Sequence, residues 1–162
     1  MDVFVYGTLC WDALLWRVSG RDDLTVVPAQ LPGHRTHWAA GQAFPMIAPV
    51  AGASAPGLLV LDVDPSVLER LDHYEGGFDY QLQSRPVVCQ DQTVDAQVYI
   101  PPAEIAPGDL WDLAAWRNTH GALAFEAAIE VMARLGQDAP KQMAAKYPMM
   151  QVRASQRLAA QA

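Results

Sequence analysis

At Pro107-Gly108 the texture of this chain changes. Before that point, short β-branched and aromatic runs are cut by glycine and proline. After it, the chain is rich in alanine and its apolar residues recur at helical spacing. Strands come first and helices last, without regular alternation, which argues against a doubly wound parallel sheet. The order points to an α+β domain on a small, mostly antiparallel sheet or barrel. A length of 162 residues is one domain's worth and buries a core without disulfides or a structural metal.

Asp2–Tyr6 reads as a buried strand stopped by Gly7, and Gly57–Val63 as a second one. Trp11–Val18 fits a short helix, and Leu24–Val27 a strand ended by Pro28. From Gln30 to Ala55, glycine, proline and alanine predict short strands and long connections. Asp64-Pro65 opens a helix, with aspartate as N-cap and proline at the first helical position. Val67, Leu68, Leu71 and Tyr74 follow its spacing, and Gly76-Gly77 is expected to close it with a left-handed cap. Tyr80–Gln90 and Thr93–Ile100 read as a hairpin turning near Asp91-Gln92. Asp109 is expected to cap a helix through about Thr119. A second helix spans Gly121–Leu135, and a third, after Pro140, is split by Pro148.

Composition excludes several classes. Hydrophobic residues make up 51% and charged residues 18%, so a disordered chain is ruled out. No apolar run approaches the ~20 residues of a membrane span. The net charge of −7 has the wrong sign for a wholesale nucleic-acid binder. From Ala139 onward the sign reverses: Lys141, Lys146, Arg153 and Arg157 meet no acid. That basic tail is expected to lie against an acidic surface of its own body or of a partner. Cys10 and Cys89 form no framework, and Met1-Asp2 lacks the positive start of a secretory leader; both predict a cytoplasmic protein.

The chain has no GxGxxG, P-loop, HExxH, paired CxxC or GxSxG. His34 and His37 lack a third metal ligand nearby and read as surface residues. Two segments remain. Tyr6-Gly7-Thr8-Leu9 follows the opening strand; glycine there lets the backbone turn and present N–H groups to an anion or an oxyanion. A tight strand-to-helix turn explains the same four residues. In Leu71-Asp72-His73-Tyr74-Glu75-Gly76-Gly77, Glu75 falls in the last turn of a helix. The helix dipole and burial both raise a carboxylate pKa there, which suits a proton shuttle. A solvated glutamate at a frayed end explains it equally.

Taken in order, Tyr6-Gly7-Thr8-Leu9, Phe44-Pro45-Met46-Ile47, Pro56-Gly57-Leu58-Leu59, Leu71-Asp72-His73-Tyr74-Glu75-Gly76, Tyr80 and Ala96-Gln97-Val98-Tyr99 form a set. The set resembles the gamma-glutamylcyclotransferase-like, or AIG2-like, family over Val3 to about Ile100. The resemblance implies a small mixed β-barrel with a pocket at one end, over residues 1–107, and a helical extension, 108–162, packed on it. It implies that Tyr6, Gly7, Thr8, Leu9 and Tyr80 bind substrate and that Glu75 is the general acid/base. The implied reaction cyclises a gamma-glutamyl amide to 5-oxoproline with no metal or cofactor. Leu82 departs from the pattern, since many members carry arginine there.

Two other uses stay open: a non-catalytic small-molecule binder on the same scaffold, and an interaction module working through the C-terminal helices. The small-molecule partner expected on the leading reading is a gamma-glutamyl compound, with no nucleic acid and no membrane. The Gly121–Leu135 helix is expected to cover the sheet or to form a homodimer contact. Trp111 and Trp116 are expected to pack the C-terminal helices on the body, or to form an aromatic shelf for substrate. Cys10 reads as a small buried residue without a histidine partner.

Overall fold

The three residues Val3–Val5 form β1, which has a neighbour on each side in the computed structural model of residues 1–162. Val3, Phe4 and Val5 pair antiparallel with Val60, Leu59 and Leu58; Val3 and Phe4 also pair in parallel with Gln97 and Val98. β2 (Val26–Ala39) and β3 (Pro45–Val60) form a long hairpin, and β4 (Gln81–Cys89) and β5 (Gln92–Ile100) a second. The neighbour order β3-β1-β5-β4-β2 returns to β3 and closes a five-stranded barrel, with β6 (Pro107–Leu110) added on β2.

Two cores lie on either side of the barrel wall. Phe4, Tyr6, Leu31, Leu59, Val87 and Val98 fill the interior. Val3 and Val5, on the other face of β1, pack outward with Leu14, Leu15, Val67 and Leu71 of α1 (Asp12–Ser19) and α2 (Pro65–Gly76). Strand alternation sends neighbouring residues of β1 into different cores, which is why the segment is apolar on both faces.

The Gln30–Ala55 region corrects the sequence expectation. It holds most of two strands 14 and 16 residues long, and β2 runs straight through Pro28 and Pro32. The register explains why proline does no harm. Pro28 and Pro32 face Leu58 and Ser54, and Pro56, Pro49 and Pro45 face Gln30, His34 and Trp38. The register shifts between Pro32 and His34. Pro28, Pro32 and Pro56 share one parity of the ladder before the shift, and Pro49 and Pro45 share one after it. On such a parity paired residues need donate no N–H to each other.

Three helix boundaries also differ. Gly77 keeps right-handed backbone (φ −63°), and the left-handed position after α2 is Asp79 (φ 61°). Asp109 lies in β6 rather than at a helix start. Gly108 leaves room for the strand to pack here, since a Cβ at that position would lie 3.1 Å from the Trp38 carbonyl oxygen, and Ala40 N–H and Trp111 N–H bond to Ala106 and Thr36 carbonyls. Asp112 is the actual cap of α3 (Leu113–Trp116), accepting from Ala115 N–H at 3.0 Å. A single π turn, Arg117–Gly121, joins α3 to α4 (Ala122–Ala133).

The third difference is α5 (Pro140–Gln161), which continues through Pro148. Met143, Met150 and Ala154 are buried on one face, on both sides of the proline, so packing offsets the lost hydrogen bond. Three of the four basic residues of α5 settle on acids of the same chain. Arg153 and Arg157 hold Glu130 and Glu126 at 2.7 Å, and Lys146 holds Asp138 at 2.7 Å. His34 and His37 bond locally to the Pro32 and Gly108 carbonyls, and no cluster of three metal-ligating residues forms. No helix is long and apolar enough to cross a membrane.

Candidate active site

β1 ends at Val5, and the chain turns at Gly7 into one short helical turn, Thr8–Cys10. Glycine is required here by packing: a Cβ on Gly7 would collide with the ring of Pro45. The turn closes with Cys10 N–H on the Gly7 carbonyl and Trp11 N–H on that of Thr8. The amides of Gly7, Thr8 and Leu9 therefore have no acceptor within the turn. Behind it, Cys10 Sγ donates to the Val5 carbonyl at 3.3 Å, and burial pushes its thiol up to about 12. Cys10 is thus a packed thiol and not a thiolate nucleophile.

Glu75 arrives from the far side, in the last turn of α2. Asp64 starts that helix by accepting from Val67 N–H at 2.9 Å. Val67, Leu71 and His73 anchor its buried face, and His73 Nε2 lies 2.6 Å from the Val131 carbonyl of α4. The helix is thereby fixed at both ends, and Glu75 with it. Phe78 N–H and Asp79 N–H satisfy the carbonyls of Glu75 and Gly76.

One pocket joins the two segments. Its lining includes Tyr6, Gly7, Thr8 and Leu9 from the loop, Glu75 from α2, and Tyr80. All six residues singled out from the sequence meet there. The lining also includes Phe44, Pro45, Phe78 and Tyr99, which were given no role. Phe44, Pro45 and Tyr99 lie inside segments that carried the family resemblance. Phe78 gave only one signal, an aromatic residue directly after a helix end.

The carboxyl of Glu75 makes no hydrogen bond or ion pair with the protein, and burial pushes its pKa up to about 8. Four phenols surround it. Tyr6, Tyr74, Tyr80 and Tyr99 are each shifted upward, first by burial; the charge of Glu75 adds to this for Tyr6, Tyr74 and Tyr80, and Asp72, followed by Glu75, does so for Tyr99. Three of them are tethered. Tyr6 donates to the Tyr99 carbonyl at 2.6 Å, Tyr80 to the Pro45 carbonyl at 2.8 Å, and Tyr99 to Asp72 Oδ1 at 2.7 Å. Tyr74 and Thr8 hydroxyls are 3.5 Å apart. Leu82 packs against the outer core, so the position where arginine was noted as missing adds no charge. Glu75 is the only charged side chain in the pocket lining.

Such a site can exchange a proton near neutral pH and offer amides to an anion, within an apolar enclosure that strengthens both interactions. The sequence profile of the family described as gamma-glutamyl cyclotransferase, AIG2-like, matches residues 3–118. Protein AIG2 B of Arabidopsis thaliana is 29% identical over 123 residues, covering 74% of this chain and 72% of that protein. A solution structure from Arabidopsis thaliana aligns with TM-score 0.59 and 26% identity, over 85% of this chain and 84% of the other. A structure of a gamma-glutamyl cyclotransferase aligns with TM-score 0.57 and 14% identity, over 86% of this chain and 88% of the other, a likeness of fold.

Proposed function

This chain belongs to the gamma-glutamyl cyclotransferase, AIG2-like family, and from that premise we propose that it cyclises a small gamma-glutamyl amide to 5-oxoproline, releasing an amine. The observation that carries the reading is Glu75: an unpartnered carboxyl with a pKa near 8, in one pocket with the Gly7–Leu9 turn. Glu75 is half-buried, and a structural glutamate so placed would be paired.

The substrate supplies its own nucleophile. The α-amino nitrogen attacks the side-chain amide carbon, forms the ring C–N bond, and then the bond to the leaving amine breaks. The protein's task is to fold the substrate and to move one proton. An α-ammonium beside Glu75 lowers the carboxyl pKa, so the residue ionises when substrate is bound. Glu75 then takes one proton from the α-ammonium, which frees the lone pair for attack, and gives it to the departing nitrogen, while the ring nitrogen releases its remaining extra proton to solvent. Amides of the 7–9 turn hold the negative charge that develops on the carbonyl oxygen. Tyr6 and Tyr80 wall the glutamyl portion, their hydroxyls already committed to backbone carbonyls.

The test is a screen of gamma-glutamyl amides for 5-oxoproline release, with Glu75→Gln alongside. The expected result is a variant that folds, binds a gamma-glutamyl ligand, and turns over about 10²-fold or more slowly. Parent-rate turnover by Glu75→Gln removes the acid/base role. Binding without turnover in the parent protein favours the small-molecule binder.

A further inference from the structure

A second, small cavity backs onto the Glu75 pocket and shares Thr8, Phe44 and Phe78 with it. Its far wall is built by the C-terminal helices: His120 from the π turn, Leu123 and Ala124 from α4, Tyr147 and Gln151 from α5. Trp116 closes one end, and its indole N–H bonds the Ala43 carbonyl at 2.9 Å, tying the roof of both cavities to α3.

No aspartate, glutamate, lysine or arginine lines this second cavity. The nearby charges on α4 and α5 are taken up elsewhere: Arg153 and Arg157 by Glu126 and Glu130, and Lys146 by Asp138. An ammonium entering here would lose its hydration and find no opposite charge, and a carboxylate would find only the imidazole of His120. An aromatic or aliphatic group would meet Phe44, Phe78, Leu123, Ala124 and the ring of Tyr147. Thr8 stands at the junction, its amide in the turn of the first pocket and its hydroxyl beside Tyr74 in the second.

We propose that this second cavity is the subsite for the departing amine, and that it selects gamma-glutamyl derivatives of uncharged, apolar amines. The proposal rests on the cyclisation reading and adds the identity of the leaving group's class. It assigns Ala124 and Gln151 as specificity-determining positions, although neither touches the reacting atoms.

The experiment measures kcat/KM for 5-oxoproline release from gamma-glutamylbenzylamide, gamma-glutamylmethylamide and gamma-glutamylglycine. The benzylamide is expected to exceed the glycine derivative by about 10-fold or more, the discrimination an apolar pocket provides. Ala124→Leu, which narrows the cavity, is expected to lower the benzylamide-to-methylamide ratio. Gln151→Arg, which adds a cation at its rim, is expected to raise the glycine derivative relative to the benzylamide. Should Ala124→Leu fail to fold, the Gln151→Arg ratio decides alone. Equal rates for benzylamide and glycine derivatives, or ratios unmoved by Gln151→Arg, overturn the subsite while leaving cyclisation intact. A parent protein that releases 5-oxoproline from none of the three overturns the cyclisation reading itself, and the subsite with it.

Discussion

The Tyr80 hydroxyl donates to the Pro45 carbonyl at 2.8 Å, and this bond joins the residue after the Glu75 turn to the strand that walls the Gly7 turn. The phenol is buried, so its removal strands a carbonyl with no water to replace the donor. Tyr80→Phe is expected to cost about 1–2 kcal/mol. A thermal melt should register a drop of roughly 2–6 °C for a chain of this size. An unchanged melting temperature would mean that the Pro45 carbonyl finds another donor.

Gly7 and Pro45 make the second testable pair. The ring of Pro45 occupies the space that a side chain at residue 7 would need. Gly7→Ala is expected to destabilise by about 1–3 kcal/mol, as overpacking does. Adding Pro45→Ala removes the ring carbon in the way and should recover a substantial part of the loss. A double variant no more stable than Gly7→Ala alone would show that the Pro45 ring is not the source of the loss.

Glu75 predicts how stability varies with pH. Its carboxyl titrates near 8 when folded, against an ordinary 4.5. Between those values the folded protein holds a proton that the unfolded chain has released, so stability falls as pH rises through the window. Glu75→Gln has no such proton and should melt progressively higher than the parent from pH 5 to pH 8. Parallel melting curves across that range would refute the buried, raised carboxyl.

The opposite sign holds for Glu130. The Arg153 and Arg157 guanidiniums hold its carboxyl down to about 2. Its contribution is complete above the ordinary 4.5 and fades as pH falls toward 2. Arg153→Ala with Arg157→Ala should lower the melting temperature at pH 7, and the difference should close by pH 2–3. Half-exposed arginines keep the effect small and salt-sensitive.

Local chemistry made several elements readable. Asp64-Pro65 starts α2 where cap and proline preferences coincide, and Val3–Val5 is apolar because both its faces are buried. Glu75 and the Gly7 turn stood out because each sits where its residue type is awkward. The long β2–β3 hairpin did not, since its prolines look disruptive until the register of each stretch of the ladder is known. α5 passes Pro148 because of burial on both sides, which depends on contacts with distant residues. Phe78 and the α4–α5 wall were hidden for the same reason: a cavity lining is assembled from residues over 100 positions apart.

The position of β1 has a consequence for how the protein comes into being. Its pairing partners, Leu58–Val60 and Gln97-Val98, are synthesised much later, and Tyr6 takes its hydrogen bond to a residue 93 positions away. Contacts of that span are closed late, because loop entropy is spent before they return anything. The Gly7 turn is therefore synthesised well before its partners and is among the last segments to reach its working shape. Variants that weaken the β1–β5 pairing should slow maturation of the pocket before they alter the finished site.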